Sequence, residues 1–331
     1  MHTARKIVAT LACLLGLLAN PASAAYVQLT VFGDSLSDAG NAFALSGMTF
    51  PPPPYDQRLS NGPTAVEVLA ANLGLPLTAS RTGGRDYAFG GAETNTRNYF
   101  AVYPGVPPEI NALFSGPPNF PATGVAAQVQ AFIAGGGTIA PQGLTVLWAG
   151  ANDFFEALTL GQNPVDAIAP ALGNLSQEIA TLYGAGARTI LLPSLADLGS
   201  TPFGLGSGNS AALTQLSLLF NQFLAMTVDQ LEPALPGLDI VEFDTFALLD
   251  AVIANPVAYG FTNVTDPCFN GVSVCANPGQ YLFWDIIHPT AAAHQILGNA
   301  FALAVPEPGT LALIAIALGA LGVSRRRAAV R

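Results

Sequence analysis

Lysine is all but missing from this 331-residue chain. Lys6 is the only one, and between residues 25 and 304 the cations are Arg58, Arg81, Arg85, Arg97 and Arg188, against twenty of the 21 acidic side chains. Nucleic-acid binders carry a basic footprint that displaces counterions, so no nucleic-acid partner is expected. Cysteine is scarce as well. Cys13 sits in an N-terminal apolar run, leaving Cys268 and Cys275. Those two, with His288 and His294, lack the C-x-x-C or H-x-x-x-H spacing of a metal site, and no metal or other cofactor is expected. The two cysteines flank Phe-Asn-Gly-Val-Ser-Val; in an oxidising compartment they read as a local disulfide. A Gly-x-Ser-x-Gly elbow is absent too, which argues against the α/β-hydrolase fold.

Histidine is the most telling scarcity, with only His2, His288 and His294 present. A serine hydrolase needs a base that works near neutral pH, and imidazole is the usual one. Ser35, in Phe-Gly-Asp-Ser-Leu-Ser-Asp-Ala-Gly-Asn at 32–41, is a candidate nucleophile. His288 is preferred as its base over His294, because Asp285 precedes it by three residues in Trp-Asp-Ile-Ile-His-Pro and can orient the ring.

Both ends read as processing signals. Arg5 and Lys6, the apolar run Ile7 to Ala19 and the small residues Ala22-Ser23-Ala24 make residues 1–24 a secretory leader. At the other end come Val305-Pro306-Glu307-Pro308-Gly309, an apolar run Thr310 to Val323, and Arg325-Arg326-Arg327. Neither apolar run reaches the ~20 residues a spanning helix wants. A plain anchor held by its arginines is the bland alternative for the tail. Residues 25–304 remain for one large domain, apolar and rich in small residues, as a compact chain requires.

Within it, strands and helices alternate. Strands are expected at Tyr26–Phe32, Asp86–Phe89, Leu144–Ala149, Arg188–Leu192 and Asp239–Phe243. Helices are expected at Thr64–Leu73, Val165–Tyr183, Ala211–Leu231 and Thr290–Leu303. This pattern predicts a three-layer α/β/α fold around a central parallel sheet. Ligands in such folds bind beyond the carboxyl ends of the strands. Ser35, Gly91, Asn152 and the pair Asp285/His288 all fall at that rim.

Four segments in order resemble the blocks of the GDSL, or SGNH, hydrolases. They are Gly33-Asp34-Ser35-Leu36-Ser37-Asp38-Ala39-Gly40-Asn41, Tyr87-Ala88-Phe89-Gly90-Gly91-Ala92, Gly150-Ala151-Asn152-Asp153 and Asp285-Ile286-Ile287-His288. The resemblance runs over nearly all of 27–303 and implies a flavodoxin-like sheet and a secreted serine esterase or lipase. It implies Ser35 as nucleophile, His288 as base and Asp285 as its orienting acid. It implies an oxyanion hole of the Ser35 N–H, the Gly91 N–H and the Asn152 side-chain amide, with Gly90 the adjacent candidate. Separately, Pro-Glu-Pro, the apolar run and the arginines resemble the PEP-CTERM sorting tail of Gram-negative bacteria. That resemblance implies transient membrane insertion of 305–331, cutting by an exosortase-type enzyme, and a destination in the periplasm, cell surface or extracellular matrix.

The substrate is less legible. Phe43–Tyr55 holds Phe50 and four prolines, and Asn95–Pro121 holds Tyr99, Phe100, Tyr103, Phe114 and Phe120. These loops line an acyl-chain groove or simply seal the sheet. A lipid ester, a small-molecule ester and a polysaccharide acetyl ester all fit, as does acyl transfer in the matrix. A non-catalytic matrix protein on the same fold is the rival class; the intact set Ser35, Asn152, Asp285 and His288 argues against it.

Overall fold

The β-branched, apolar head of the domain forms β1 (Gln28–Gly33), and its buried residues include Val31 and Phe32. A computed structural model describes residues 26–102, 120 and 122–306, of which Val27–Val305 make one compact unit. Three more strands extend the sheet: β2 (Gly143–Trp148), β3 (Thr189–Pro193) and β4 (Asp239–Phe243). All pair in parallel in the order β1-β2-β3-β4, with Val31 beside Val146 and Ile190 beside Ile240. Every residue of β2 is buried. That is the mark of a parallel strand covered on both faces, and it explains a run that is apolar but for Thr145, with no alternation.

The expected strand at Asp86–Phe89 is not a regular strand. Its backbone still follows β1: the Val31 N–H bonds the Arg85 carbonyl, and the Tyr87 and Phe89 N–H groups bond the carbonyls of Val31 and Gly33. Glycines follow at once, so the ladder stops after three bonds. The segment covers the free edge of β1 opposite β2, so the chain departs to opposite sides of β1. This divergence opens the crevice in which such folds bind ligands.

Helices cover the two faces. The expected helices form as α2 (Ala65–Asn72), α5 (Ile168–Gly184), α6 (Ser210–Ala234) and α8 (Ala291–Ala304), each within a few residues of its expected ends; α1 (Asn41–Leu45), α3 (Val125–Ala134), α4 (Ala151–Thr159) and α7 (Thr245–Ala254) are additional. Helices α2 and α8 pack together as one group, while α5 packs against α3 and α6. Gly298 makes the α2–α8 approach possible: a Cβ there would lie 2.5 Å from the Ala65 carbonyl oxygen. Thr64 caps α2 reciprocally with Glu67, satisfying two orphan N–H groups. A two-stranded parallel pair, β5 (Asn263–Pro267) with β6 (Tyr281–Phe283), was not expected from the sequence. It is short and half exposed, so periodicity gives no signal. The main core runs from Phe32 to Trp284, and a second cluster gathers Val252, Phe261, Leu282, Phe283 and Ala293.

Candidate active site

The turn after β1 is made by Asp34. Its carbonyl accepts the N–H groups of Ser37 and Asp38, and its Oδ1 accepts that of Leu36 at 3.0 Å. This Asx turn lifts Ser35 to the rim. The buried carboxylate of Asp38 then accepts four N–H groups, from Gly40, Asn41, Ala42 and Gly90. Asn41 Nδ2 bonds the carbonyls of Asp86 and Ala88. Asp38 and Asn41 therefore weld the first block to the second. Their part was missed in the sequence, although Asp-x-x-Asn before a helix is a recognisable turn and capping signal.

Gly91 follows that weld. Its φ is +79°, and a Cβ would fall 2.4 Å from the Phe100 ring and 2.7 Å from Asn98 Oδ1; only glycine fits without strain. The neighbouring Gly90 N–H is spent on Asp38 at 2.9 Å. The N–H groups of Ser35 and Gly91 have no acceptor among the described residues. Asn152, the second residue of α4, uses one amide hydrogen on the Ala92 carbonyl at 2.9 Å, which leaves the other available. Asp153 holds the next turn of the second block, accepting from Thr94 N–H and Oγ1 at 3.0 and 2.7 Å.

The loop before α8 supplies the remaining groups. Asp285 Oδ1 accepts the N–H groups of Ile287 and His288 at 2.8 and 2.7 Å. Its Oδ2 meets His288 Nδ1 at 2.7 Å, and His288 Nε2 lies 2.9 Å from Ser35 Oγ. The four sequence-predicted positions and Gly91 thus share one rim. The Ser35 hydroxyl is half-buried, while Asp285 and His288 are buried. Burial alone would raise the Asp285 carboxyl, but the His288 charge and the hydrogen bonds from the His288 ring and from the His288 and Ile287 N–H groups hold it below the usual range. Asp285 is therefore ionised at neutral pH. It can fix the imidazole tautomer that leaves Nε2 free to take a proton.

Tyr55 is a site residue that sequence reasoning missed. Its phenol donates to Asp285 Oδ2 at 2.8 Å, across 230 positions of sequence. Its place among four prolines gives no periodic signal. Trp284 packs behind it, edge-on to Tyr55 and stacked on Phe269. His294 is elsewhere: its Nδ1 accepts the Ala65 N–H at 3.2 Å, and burial, with the His288 charge, depresses the ring to about 3. It links α8 to α2 as a neutral acceptor.

The aromatic loops divide between the two readings given to them. Phe50, Phe100 and Phe120 form a buried edge-to-face cluster that seals the loops down. Tyr99 and Phe100 also line the hollow at Ser35. Tyr103 and Phe114 lie outside the described residues. Cys268 and Cys275 are bonded. The Cys268 and Phe269 N–H groups bond the carbonyls of Phe283 and Trp284, so the bridged loop braces the segment leading into Asp285.

Over residues 29–301 the sequence matches the GDSL-like Lipase/Acylhydrolase family, and over 304–328 the PEP-CTERM protein-sorting motif, a signal that marks exported proteins of Gram-negative bacteria. Relatives include a GDSL esterase/lipase of Arabidopsis thaliana, 29% identical across 81% of this chain and 83% of its own length. A protein from the trpE-trpG intergenic region of Pseudomonas putida is 28% identical over 87% of this chain; the chain spans 50% of that relative's length. A solved structure from Veillonella parvula DSM 2008, of the lipolytic G-D-S-L family, is 14% identical with a TM-score of 0.45, covering 84% of this chain and 97% of that one. With the match to its family running through all four rim segments, the chain belongs to the GDSL-like lipase/acylhydrolase family of ester hydrolases.

Proposed function

We propose that this protein is an exported serine esterase that works through an acyl-enzyme on Ser35. The observation that carries the reading is the hydrogen-bonded series Ser35 Oγ, His288 Nε2, His288 Nδ1, Asp285 Oδ2, with separations of 2.9 and 2.7 Å at its two junctions. Ser35 Oγ attacks the ester carbonyl while its proton passes to His288 Nε2. The oxyanion is met by the N–H groups of Ser35 and Gly91 and by the second amide hydrogen of Asn152. When the carbonyl–alkoxy bond breaks, His288 returns the proton to the departing alkoxide. Water then repeats the sequence on the acyl-enzyme and frees Ser35. Asp285 holds the ring and stabilises the imidazolium.

In this reading residues 1–24 are a removed leader and 25–304 the catalytic domain. The tail 305–331 inserts transiently in the membrane and is cut by an exosortase-type enzyme, releasing the domain to the periplasm, surface or matrix. The test of catalysis is hydrolysis of p-nitrophenyl acetate by the purified protein and by Ser35→Ala. A fluorophosphonate probe should label the first and not the second. Equal hydrolysis by both proteins would end the assignment of Ser35.

A further inference from the structure

Behind Ser35 the rim opens into a cavity of about 100 Å³ whose walls are mostly apolar. Two helices each give it a stripe of residues. From α7 come Thr245, Leu248, Leu249 and Val252; from α8 come Ala293, Ile296 and Leu297. Each set has the i, i+3, i+4 spacing that puts residues on one helix face. Val252 and Ala293 belong to the smaller core cluster, with Leu248, Leu249 and Ile296 packed against it. The same residues also line the space, which lies at the seam between that cluster and the main core.

We infer that this cavity is the acyl-chain site, and that it takes straight chains of about six to ten carbons. The inference rests on the esterase reading of Ser35 given above. Ser35 and His288 form part of the cavity wall, so the group inside must be covalently close to the reacting carbonyl. The acyl group stays on Ser35 through both half-reactions, whereas the alcohol must leave between them. A half-enclosed apolar space therefore suits the acyl group. The length follows from two independent measures. A single water claims roughly 10–15 Å³ of such space, so the cavity holds on the order of seven to ten methylene-sized groups. The α7 stripe also runs about two helical turns from Thr245 to Val252, which is about 10 Å of rise, while the α8 stripe from Ala293 to Leu297 adds about one turn. An acetyl group would leave most of this apolar wall unoccupied.

The test is a p-nitrophenyl ester series from acetate to palmitate on the purified protein. Each methylene buried is worth ~0.8 kcal/mol, so kcat/KM should climb by up to about fourfold per methylene towards octanoate and fall beyond decanoate. Val252→Phe and, from α8, Ile296→Phe should each cost octanoate at least tenfold while leaving acetate within about twofold. Binding is read separately, without catalysis, on Ser35→Ala: octanoate should raise its melting temperature, and butyrate at equal concentration should not. Rates that fall steadily from acetate onward would overturn the inference. So would a wall variant that lowers acetate and octanoate alike, or an octanoate series for Ser35→Ala with no shift. Hydrolysis undiminished in Ser35→Ala would instead strike the esterase reading and leave the binding result standing on its own.

Discussion

The phenol of Tyr55 and the ring of His288 share one oxygen, Asp285 Oδ2, at 2.8 and 2.7 Å. Tyr55 is buried in a proline-rich loop, so its hydroxyl is fixed and the carboxylate is gripped from both sides. Hydrogen bonds to buried charged groups are worth about 1.5–3 kcal/mol. Tyr55→Phe should therefore lower kcat about tenfold with KM nearly unchanged, because Tyr55 holds Asp285 and touches no substrate. Steady-state kinetics on a short ester checks this. An unaltered kcat would show that the other three bonds suffice.

Asp285→Asn should be far more severe. Oδ1 already accepts two N–H groups, and Oδ2 accepts the phenol and faces His288 Nδ1. An amide cannot accept at all four points. Its NH2 must either face the two backbone donors or force the ring into the tautomer that protonates Nε2. The expected loss in kcat is on the order of 10⁴. Retention of more than a tenth of the activity would remove Asp285 from its role.

Asn152→Ala and Gly91→Ala separate charge stabilisation from folding. Asn152→Ala removes the donor proposed for the oxyanion along with the tie to Ala92; kcat should fall about 10²–10³-fold with a modest loss of stability. Gly91→Ala meets the Phe100 ring and Asn98 Oδ1, at a φ of +79°. It should lower the melting temperature as well as the activity. Thermal melts beside kinetics check both, and a Gly91→Ala protein as stable as the parent would sink the strain argument.

The site was more legible in the sequence than the fold around it. Ser35 and His288 could be paired from the scarcity of histidine together with Asp285 three residues before His288, since chemistry limits the candidates. The strand β2 was plain because full burial leaves a nearly unbroken apolar run. The edge at 85–89 was mistaken for a regular strand because a short β-like run before two glycines looks the same whether or not its ladder continues. The helix α7 was missed although Thr245, Leu248, Leu249 and Val252 stand at helical spacing. The stripe is brief, and the residues around it, Phe246, Ala247, Ala251 and Ile253, are apolar too, so no face stands out. Tyr55 carried no local signal because its partner is 230 residues away.

Stability should fall between pH 6.5 and 8. Burial pushes the carboxyls of Asp34, Glu93 and Glu178 up to about 7, and that of Asp153 up to about 6. Such groups hold their proton better when folded. Their contribution is whole below the unfolded value near 4 and is lost as pH rises through the folded one. His294 works oppositely. Its ring is depressed from 6.5 to about 3, so between those values acid favours the unfolded chain. Below pH 6.5 the two effects partly cancel, and above it only the carboxyls act. The expected loss is roughly 1–2 kcal/mol, seen as a melting temperature a few degrees lower at pH 8. Glu178→Gln should flatten part of that slope. A melting temperature that rises over the interval would contradict the assignment.

The last prediction concerns the bridge between Cys268 and Cys275, which are separated by seven positions. Chain-entropy reasoning gives so small a loop about 2–3 kcal/mol, enough to see in a melt. The position of the loop adds a kinetic consequence. The Cys268 and Phe269 N–H groups hold the carbonyls of Phe283 and Trp284, and the next residue along is Asp285. Loosening this brace frees the segment that aims Asp285 and His288. Reductant, or Cys268→Ser with Cys275→Ser, should therefore lower both the melting temperature and kcat. Ser35→Ala should show the same drop in melting temperature on reduction, since the brace acts through the backbone and not through the nucleophile. Two freely titrating thiols in native exported protein, or a melt indifferent to reductant, would exclude the bridge as a support of the site.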